Sequence, residues 1–242
     1  MKKMIVANHK MNLTIEEMDR YLNTINNKIS DIFKVVICPS NIFLYMVRST
    51  NFDLGAQNAF YLEKGSYTGE VSPSQLKSLG VSYVIIGHSE RRIHFKEDDL
   101  LINQKLKALL KQNLKPILCI GETLEEKQLK KTYTVLKNQL LTALKNIAEE
   151  EMNDITIAYE PVWAIGTGKT PSDQDIKDSV TYIKKTVEQK YNIKIKTLYG
   201  GSVNKTNIKD ILRINNVDGL LIGSSSLDPE YFIKMIELIE ND

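Results

Sequence analysis

The sequence predicts a closed (β/α)₈ barrel, an α/β fold of eight parallel strands surrounded by helices, carried as one domain over residues 1–242. Three observations point there. Short apolar runs alternate with helix-like segments along the whole chain, the unit repeats about every 30 residues without a linker, and polar residues gather where the runs end. Eight such units in 242 residues suit closure of a barrel better than an open doubly wound sheet, and a barrel builds its site at the C-terminal ends of its strands.

The first run, "MIVANHK", precedes "TIEEMDRYLNTINNKI", where apolar residues return at three and four and Thr14 with Glu17 forms a capping box. The runs "VVICPS", "FDLGAQN" and "VSYVIIGHS" follow, and then the helix-like "EDDLLINQKLKALLKQ". The fifth run, "KPILCIGE", leads into "TLEEKQLKKTYTVLKNQLLTALKNIAEE", one helix-like segment opened by the capping box of Thr123 and Glu126. The sixth, "ITIAYEP", precedes "SDQDIKDSVTYIKKTVEQK". The seventh and eighth, "IKTLYGGS" and "VDGLLIGSS", end in small residues, and "DPEYFIKMIELIE" closes the chain as a helix.

The ends of these runs carry chemistry. Asn8 and Lys10 end the first, Gln57 and Asn58 the third, His88 the fourth and Glu160 the sixth, while Glu122 follows the fifth. Strand parity puts Met4, Val6, Asn8 and Lys10 on one face, Ser82, Val84, Ile86 and His88 on one face, and Glu160 on the small-residue face of Thr156 and Ala158. Lys10, His88 and Glu160 are thereby predicted to share one mouth, whereas His9 faces the helices. Pro161 stops the sixth strand. The apolar loop after it, Val162, Trp163, Ala164, Ile165, Gly166, Thr167, Gly168 and Lys169, has two glycines to move on and reads as a lid over a base. Taken singly, Glu160 reads as a surface carboxylate, Lys10 as a snorkelling lysine and His88 as a core histidine. Their convergence favours a site.

Bulk properties exclude several classes. A formal net charge of +2 with 26% charged residues argues against disorder and against a polyanion-binding surface, and "KQLKKTYTVLK" reads as a solvated helix face, so no nucleic-acid partner is expected. Cys38 and Cys119 sit in apolar runs, as buried free thiols of a reducing compartment do. His9, His88 and His94 lack Cys or His partners at ligand spacing, so no metal is expected. The apolar run before Asn8 is too short for a signal peptide, and no run is long enough to span a bilayer, so the expectation is a cytoplasmic protein without a membrane partner.

Together, "ANHKMN", "GAQN", "GSYTGEVS", "IIGHSERR", "YEPVWAIGTGK", "YGGSV" and "VDGLLIGSSSL" closely resemble the triosephosphate isomerase family, in order and along the full chain. The resemblance implies the TIM-barrel fold and a glycolytic and gluconeogenic isomerase that interconverts D-glyceraldehyde 3-phosphate and dihydroxyacetone phosphate, with no cofactor. By the same resemblance Glu160 is the base that moves a proton between the two carbons, and His88 is the neutral electrophile. That pairing of a Glu base with a neutral His is the family's own well-known pattern, carried over to these two positions. Lys10 is the cation that draws the phosphorylated dianion, Asn8 an amide that contacts substrate, and Glu90 the carboxylate that pairs with the lysine. Gly166, Ser202, Gly223 and Ser224 supply backbone N–H groups to the phosphate. Exclusion of water by the lid is expected to raise the Glu160 pKa, and a short helix begun by "HSERR" to disfavour imidazolium at His88.

The family also implies a homodimer, with the loop "NAFYLEKGSYTGE" inserted into the neighbouring subunit and Thr68 reaching toward the partner's Asn8 and the partner's Lys10. Three positions depart from its pattern: His9 stands where tryptophan is usual, Ser224 where glycine is usual, and Pro171 where the family has a backbone N–H that bonds the tyrosine of "YGGS", here Tyr199. Ser202 retains a bond to the N–H of Gly168 in this scheme. A left-handed Ser224 would cost about 1 kcal/mol. The alternative is a barrel weakened in its phosphate loop that binds phosphorylated ligands or protein partners without turnover. Retention of Lys10, His88 and Glu160 favours the enzyme, because binding alone needs no base.

Overall fold

The computed structural model describes residues 2–26, 28–48, 51–166 and 170–240. Its strands are β1 (Met4–Asn8), β2 (Lys34–Cys38), β3 (Asp53–Ala56), β4 (Tyr83–Ile86), β5 (Lys115–Ile120), β6 (Thr156–Tyr159), β7 (Lys196–Tyr199) and β8 (Gly219–Ile222). Each pairs in parallel with the next, and β8 returns to β1, where Met4 lies opposite both Lys34 and Gly219. The barrel is closed.

Around it run α1 (Ile15–Ile25), α2 (Pro73–Ser78), α3 (Ser89–His94), α4 (Asp99–Lys111), α5 (Leu124–Gln128), α6 (Thr132–Ala143), α7 (Asp173–Tyr191), α8 (Ile208–Arg213) and α9 (Pro229–Glu240). The capping boxes at Thr14 and Thr123 form as expected, and Ser72 with Gln75 makes a third at the start of α2. After β2 the chain makes a 3₁₀ turn, Asn41–Met46, in place of an α-helix. The segment read as one helix from Thr123 onward is two. Lys130 takes a left-handed φ of 57°, and the break lets α6 bury Leu136 and Leu140 against the barrel while α5 buries nothing. Apolar periodicity does not register such a break, because it counts spacing and not chain direction. Among the described residues no helix is long and apolar enough to cross a membrane.

The core has two parts. Inside the barrel Met4, Val6, Tyr83, Ile85, Cys119 and Ala158 pack together, while Ile5, Ala7, Val84, Ile86 and Ile157 face the helices. Parity therefore holds for β1 and β6 and fails for β4, since Val84 and Ile86, the strand mates assigned to His88, point outward. Gly87 explains the difference. Its φ of +68° turns the chain as β4 ends, and a residue that strict alternation would send outward swings into the mouth. His9 is 0% exposed and packs edge-on against Tyr21 of α1, with centroids 4.6 Å apart, on the helix side as its parity requires.

Candidate active site

Asn8 ends β1 at the mouth, and its Oδ1 accepts the Lys10 N–H at 3.1 Å. Lys10 itself has a φ of 53°, a conformation that costs a non-glycine residue about 1–2 kcal/mol. Three hydrogen bonds hold it there. Besides the Asn8 bond, the Lys10 carbonyl accepts from Ser40 Oγ and from Gln57 Nε2, each at 2.9 Å. The result is an ammonium aimed across the mouth, 2.7 Å from Glu90 Oε1.

His88 is the N-cap of α3, and its Nδ1 accepts the Glu90 N–H at 3.3 Å. A nitrogen that accepts carries no proton, so the neutral ring has its hydrogen on Nε2. Nε2 lies 3.2 Å from Glu160 Oε1, and both side chains are buried. Glu160 follows β6 directly, its N–H donating to the Ile120 carbonyl at 2.8 Å, and its second oxygen, Oε2, is buried without a hydrogen-bond partner among the described residues. Gly200 makes room for it: a Cβ there would lie 2.7 Å from Glu160 Cγ.

Burial disfavours charge on both members of this pair. At His88 the Glu160 and Glu90 carboxylates outweigh burial and raise the proton affinity above the usual histidine value. At Glu160 burial is likewise the largest influence, but His88, the Cys119 thiol and Lys10 together hold the carboxyl below its usual range. The raised Glu160 pKa expected from the lid is therefore corrected for this arrangement, because the facing donors stabilise the carboxylate more than burial destabilises it. The short helix expected to disfavour imidazolium at His88 is outweighed in the same way by the two carboxylates, although the Glu90 N–H on Nδ1 still opposes a second ring proton. Geometry thus favours an ionised Glu160 accepting from a neutral His88.

A cavity of about 210 Å³ opens between these groups, lined by Asn8, Lys10, His88 and Glu160 and, on the far side, by Gly166, Ser202, Gly223 and Ser224. Ser224 begins a 3₁₀ turn, Ser224–Ser226, and is absent from the left-handed residues, so the strain anticipated there does not arise. Gly223 provides the open backbone instead, at φ −91° and ψ −114°.

The lid stem is anchored at several points. Pro161 and Ala164 are buried, the Val162 N–H donates to the Glu122 carbonyl at 3.0 Å, and Trp163 Nε1 donates to Glu122 Oε1 at 3.0 Å. Ser202 Oγ donates to the Ala164 carbonyl at 2.6 Å, while Ile165 and Gly166 face the cavity. Thr167, Gly168 and Lys169 lie outside the described residues, and with them the bond assigned to Ser202 and Gly168. Tyr199 Oη is buried with no hydrogen-bond partner among the described residues, and the proline at 171 has no N–H to give it.

Asn8, Lys10, His88, Glu90, Glu160, Gly166, Ser202, Gly223 and Ser224 are thus brought together, and Thr68 is not. It sits exposed on the loop after β3, where the Phe60 ring packs 4.5 Å from Tyr61 and 4.7 Å from Tyr67. Sequence reading placed Glu122 and Gln57 at strand ends without finding their parts, which are to anchor the lid indole and to hold the Lys10 backbone. Their partners are distant in sequence, so no local pattern marks them.

The family model described as "Triosephosphate isomerase" matches residues 3–239. The chain is 46% identical to a triosephosphate isomerase of Thermodesulfovibrio yellowstonii, over 98% of this chain and 99% of that one. It is 42% identical to one of Alkaliphilus oremlandii, over 97% and 98%, and 42% identical to one of Aquifex aeolicus, over 98% and 99%. With a buried imidazole, a buried carboxylate and a fixed ammonium converging at the mouth of a closed eight-stranded barrel, these matches show that the chain belongs to the triosephosphate isomerase family and is an isomerase.

Proposed function

We propose that this isomerase interconverts D-glyceraldehyde 3-phosphate and dihydroxyacetone phosphate through an enediolate, with Glu160 as base and His88 as electrophile, in glycolysis and gluconeogenesis. The observation that carries the reading is the 3.2 Å contact between His88 Nε2 and Glu160 Oε1, in a residue pair that lines the cavity. Glu160 takes a proton from the carbon next to the carbonyl, and the electron pair left behind moves onto the carbonyl oxygen. His88 Nε2–H donates to that oxygen, and the Lys10 ammonium offsets its charge. Glu160 then returns the proton to the carbon that bore the carbonyl, while the hydroxyl proton of the other carbon passes by way of His88 Nε2 to the first oxygen as the new carbonyl forms, so the reaction neither gains nor loses atoms.

Asn8 orients the substrate oxygens, Glu90 holds the ammonium in place, and the N–H groups of Gly166, Ser202, Gly223 and Ser224 cradle the phosphate. No cofactor enters this scheme. The reading extends to one catalytic domain over residues 1–242, a homodimer, and a cytoplasmic location, the last supported by two buried free thiols. An assay of glyceraldehyde 3-phosphate turnover coupled to reduction of the product tests it. Binding of phosphoglycolate, an enediolate mimic, without turnover would replace the enzyme with a binding module.

A further inference from the structure

α5 buries none of its own side chains, yet one of them, Lys127, reaches the lid. The Trp163 indole is held along its edge by Glu122 Oε1, 3.0 Å from Nε1, and over its face by the Lys127 ammonium, 4.1 Å from the ring centroid. That ammonium also lies 3.1 Å from Asp175 Oδ2 in the first turn of α7, the helix into which the lid runs. Lys127 therefore ties the stem at which the lid begins to the helix at which it ends. It does not line the cavity.

We propose that Lys127 is a positioning residue for the isomerisation: through Trp163 it holds the lid stem in the arrangement that covers Glu160. Glu160 is 2% exposed here, and the described stem, Pro161 to Gly166, follows it directly. A stem released from α5 admits water to the carboxylate and loosens Ile165 and Gly166, both of which face the cavity. A cation over an indole face and a partly exposed ion pair act on the ammonium, and the Glu122 carboxylate attracts it as well. Together they bias such an arrangement by about three- to tenfold. The claim rests on the isomerase reading for its kinetic arm only.

The chain contains one tryptophan, so emission from Trp163 reports the stem directly. Lys127→Met keeps the aliphatic stem and removes the charge, and Lys127→Arg restores a cation. The expected results for Lys127→Met are an altered Trp163 emission spectrum, kcat/KM for glyceraldehyde 3-phosphate lower by about three- to tenfold, and a Kd for phosphoglycolate raised by a similar factor. Arginine should restore all three. Asp175→Asn should move them the same way by less, and added potassium chloride should shift the emission of the parent but not of Lys127→Met. If the methionine variant does not fold, Asp175→Asn and the salt series on the parent decide the matter. Parent-like emission in Lys127→Met, or a kinetic loss with unchanged emission, or failure of arginine to restore either, overturns the proposal. A parent protein that does not turn over defeats the isomerase reading alone, while the emission and phosphoglycolate arms still decide the role of Lys127.

Discussion

Glu160 Oε1 accepts from His88 Nε2 at 3.2 Å, and the opposite ring nitrogen is committed to the Glu90 N–H at 3.3 Å. The proposed base and electrophile are therefore already in contact, with the ring's other nitrogen occupied. Glu160→Gln keeps the volume and removes the base. It should lower kcat by about 10² to 10⁴ while leaving the unfolding midpoint within a few degrees of the parent. Turnover within a few-fold of the parent would rule out Glu160 as the base.

Gly200→Ala should act on the same carboxylate from behind. The added methyl would lie 2.7 Å from Glu160 Cγ, so the side chain has to shift. A displacement approaching 1 Å costs on the order of 10² in rate, and the expected signature is a lower kcat with little change in phosphoglycolate affinity. Kinetics equal to the parent would show that the barrel wall yields instead.

Acid stability should depend on His9. Burial lowers its pKa from 6.5 to about 4, and neither ring nitrogen has a hydrogen-bond partner among the described residues. The unfolded chain binds the proton near pH 6.5 and the folded chain only near pH 4, so stability falls as pH drops through that window and levels off below it. The full effect is about 3 kcal/mol. His9→Phe should flatten this part of the profile, which urea unfolding at pH 7.0 and pH 4.5 would check. Parallel profiles for the two proteins would mean that His9 protonates without cost.

Two hydroxyls near the lid should differ. Tyr199 Oη is buried and has no partner among the described residues, so Tyr199→Phe should change kcat/KM by less than about twofold. Ser202 Oγ bonds the Ala164 carbonyl at 2.6 Å, and Ser202→Ala releases the stem there. One net hydrogen bond of about 0.5–1.5 kcal/mol corresponds to a loss of roughly two- to tenfold. A Tyr199→Phe loss exceeding that of Ser202→Ala would reverse the assignment.

A homodimer should appear in sedimentation at micromolar concentration. Met11 is 95% exposed and Phe95 64% exposed, and both adjoin catalytic segments, one beside Lys10 and the other at the end of α3. Such apolar surface around a site is what a second copy covers. Thr68→Arg should shift the protein toward monomer and lower kcat/KM with it. A fully active monomer would refute the dimer.

The roles proposed for Lys10, His88 and Glu160 come from the family resemblance, whereas the sequence read alone determined the barrel, the position of its mouth and the placing of Lys10 and Glu160 there. These follow from local rules: period-two alternation at β1 and β6, helical spacing in α1 and α4, capping boxes at Thr14 and Thr123, and polar residues where apolar runs stop. Only tertiary structure decided how the trio is aimed. His88 reaches the mouth because Gly87 turns left-handed, contrary to the parity of its strand. Lys10 points at Glu90 because Ser40 and Gln57, from two other strand ends, hold its carbonyl. The Trp163 indole is gripped by Glu122 and Lys127, and the ionisation of Glu160 is set by groups from β1, β4 and β5. Alternation and spacing are properties of neighbours in the chain. Backbone handedness after a strand, and the charge borne by a buried group, depend on neighbours in space, and closure of the barrel is what supplies them.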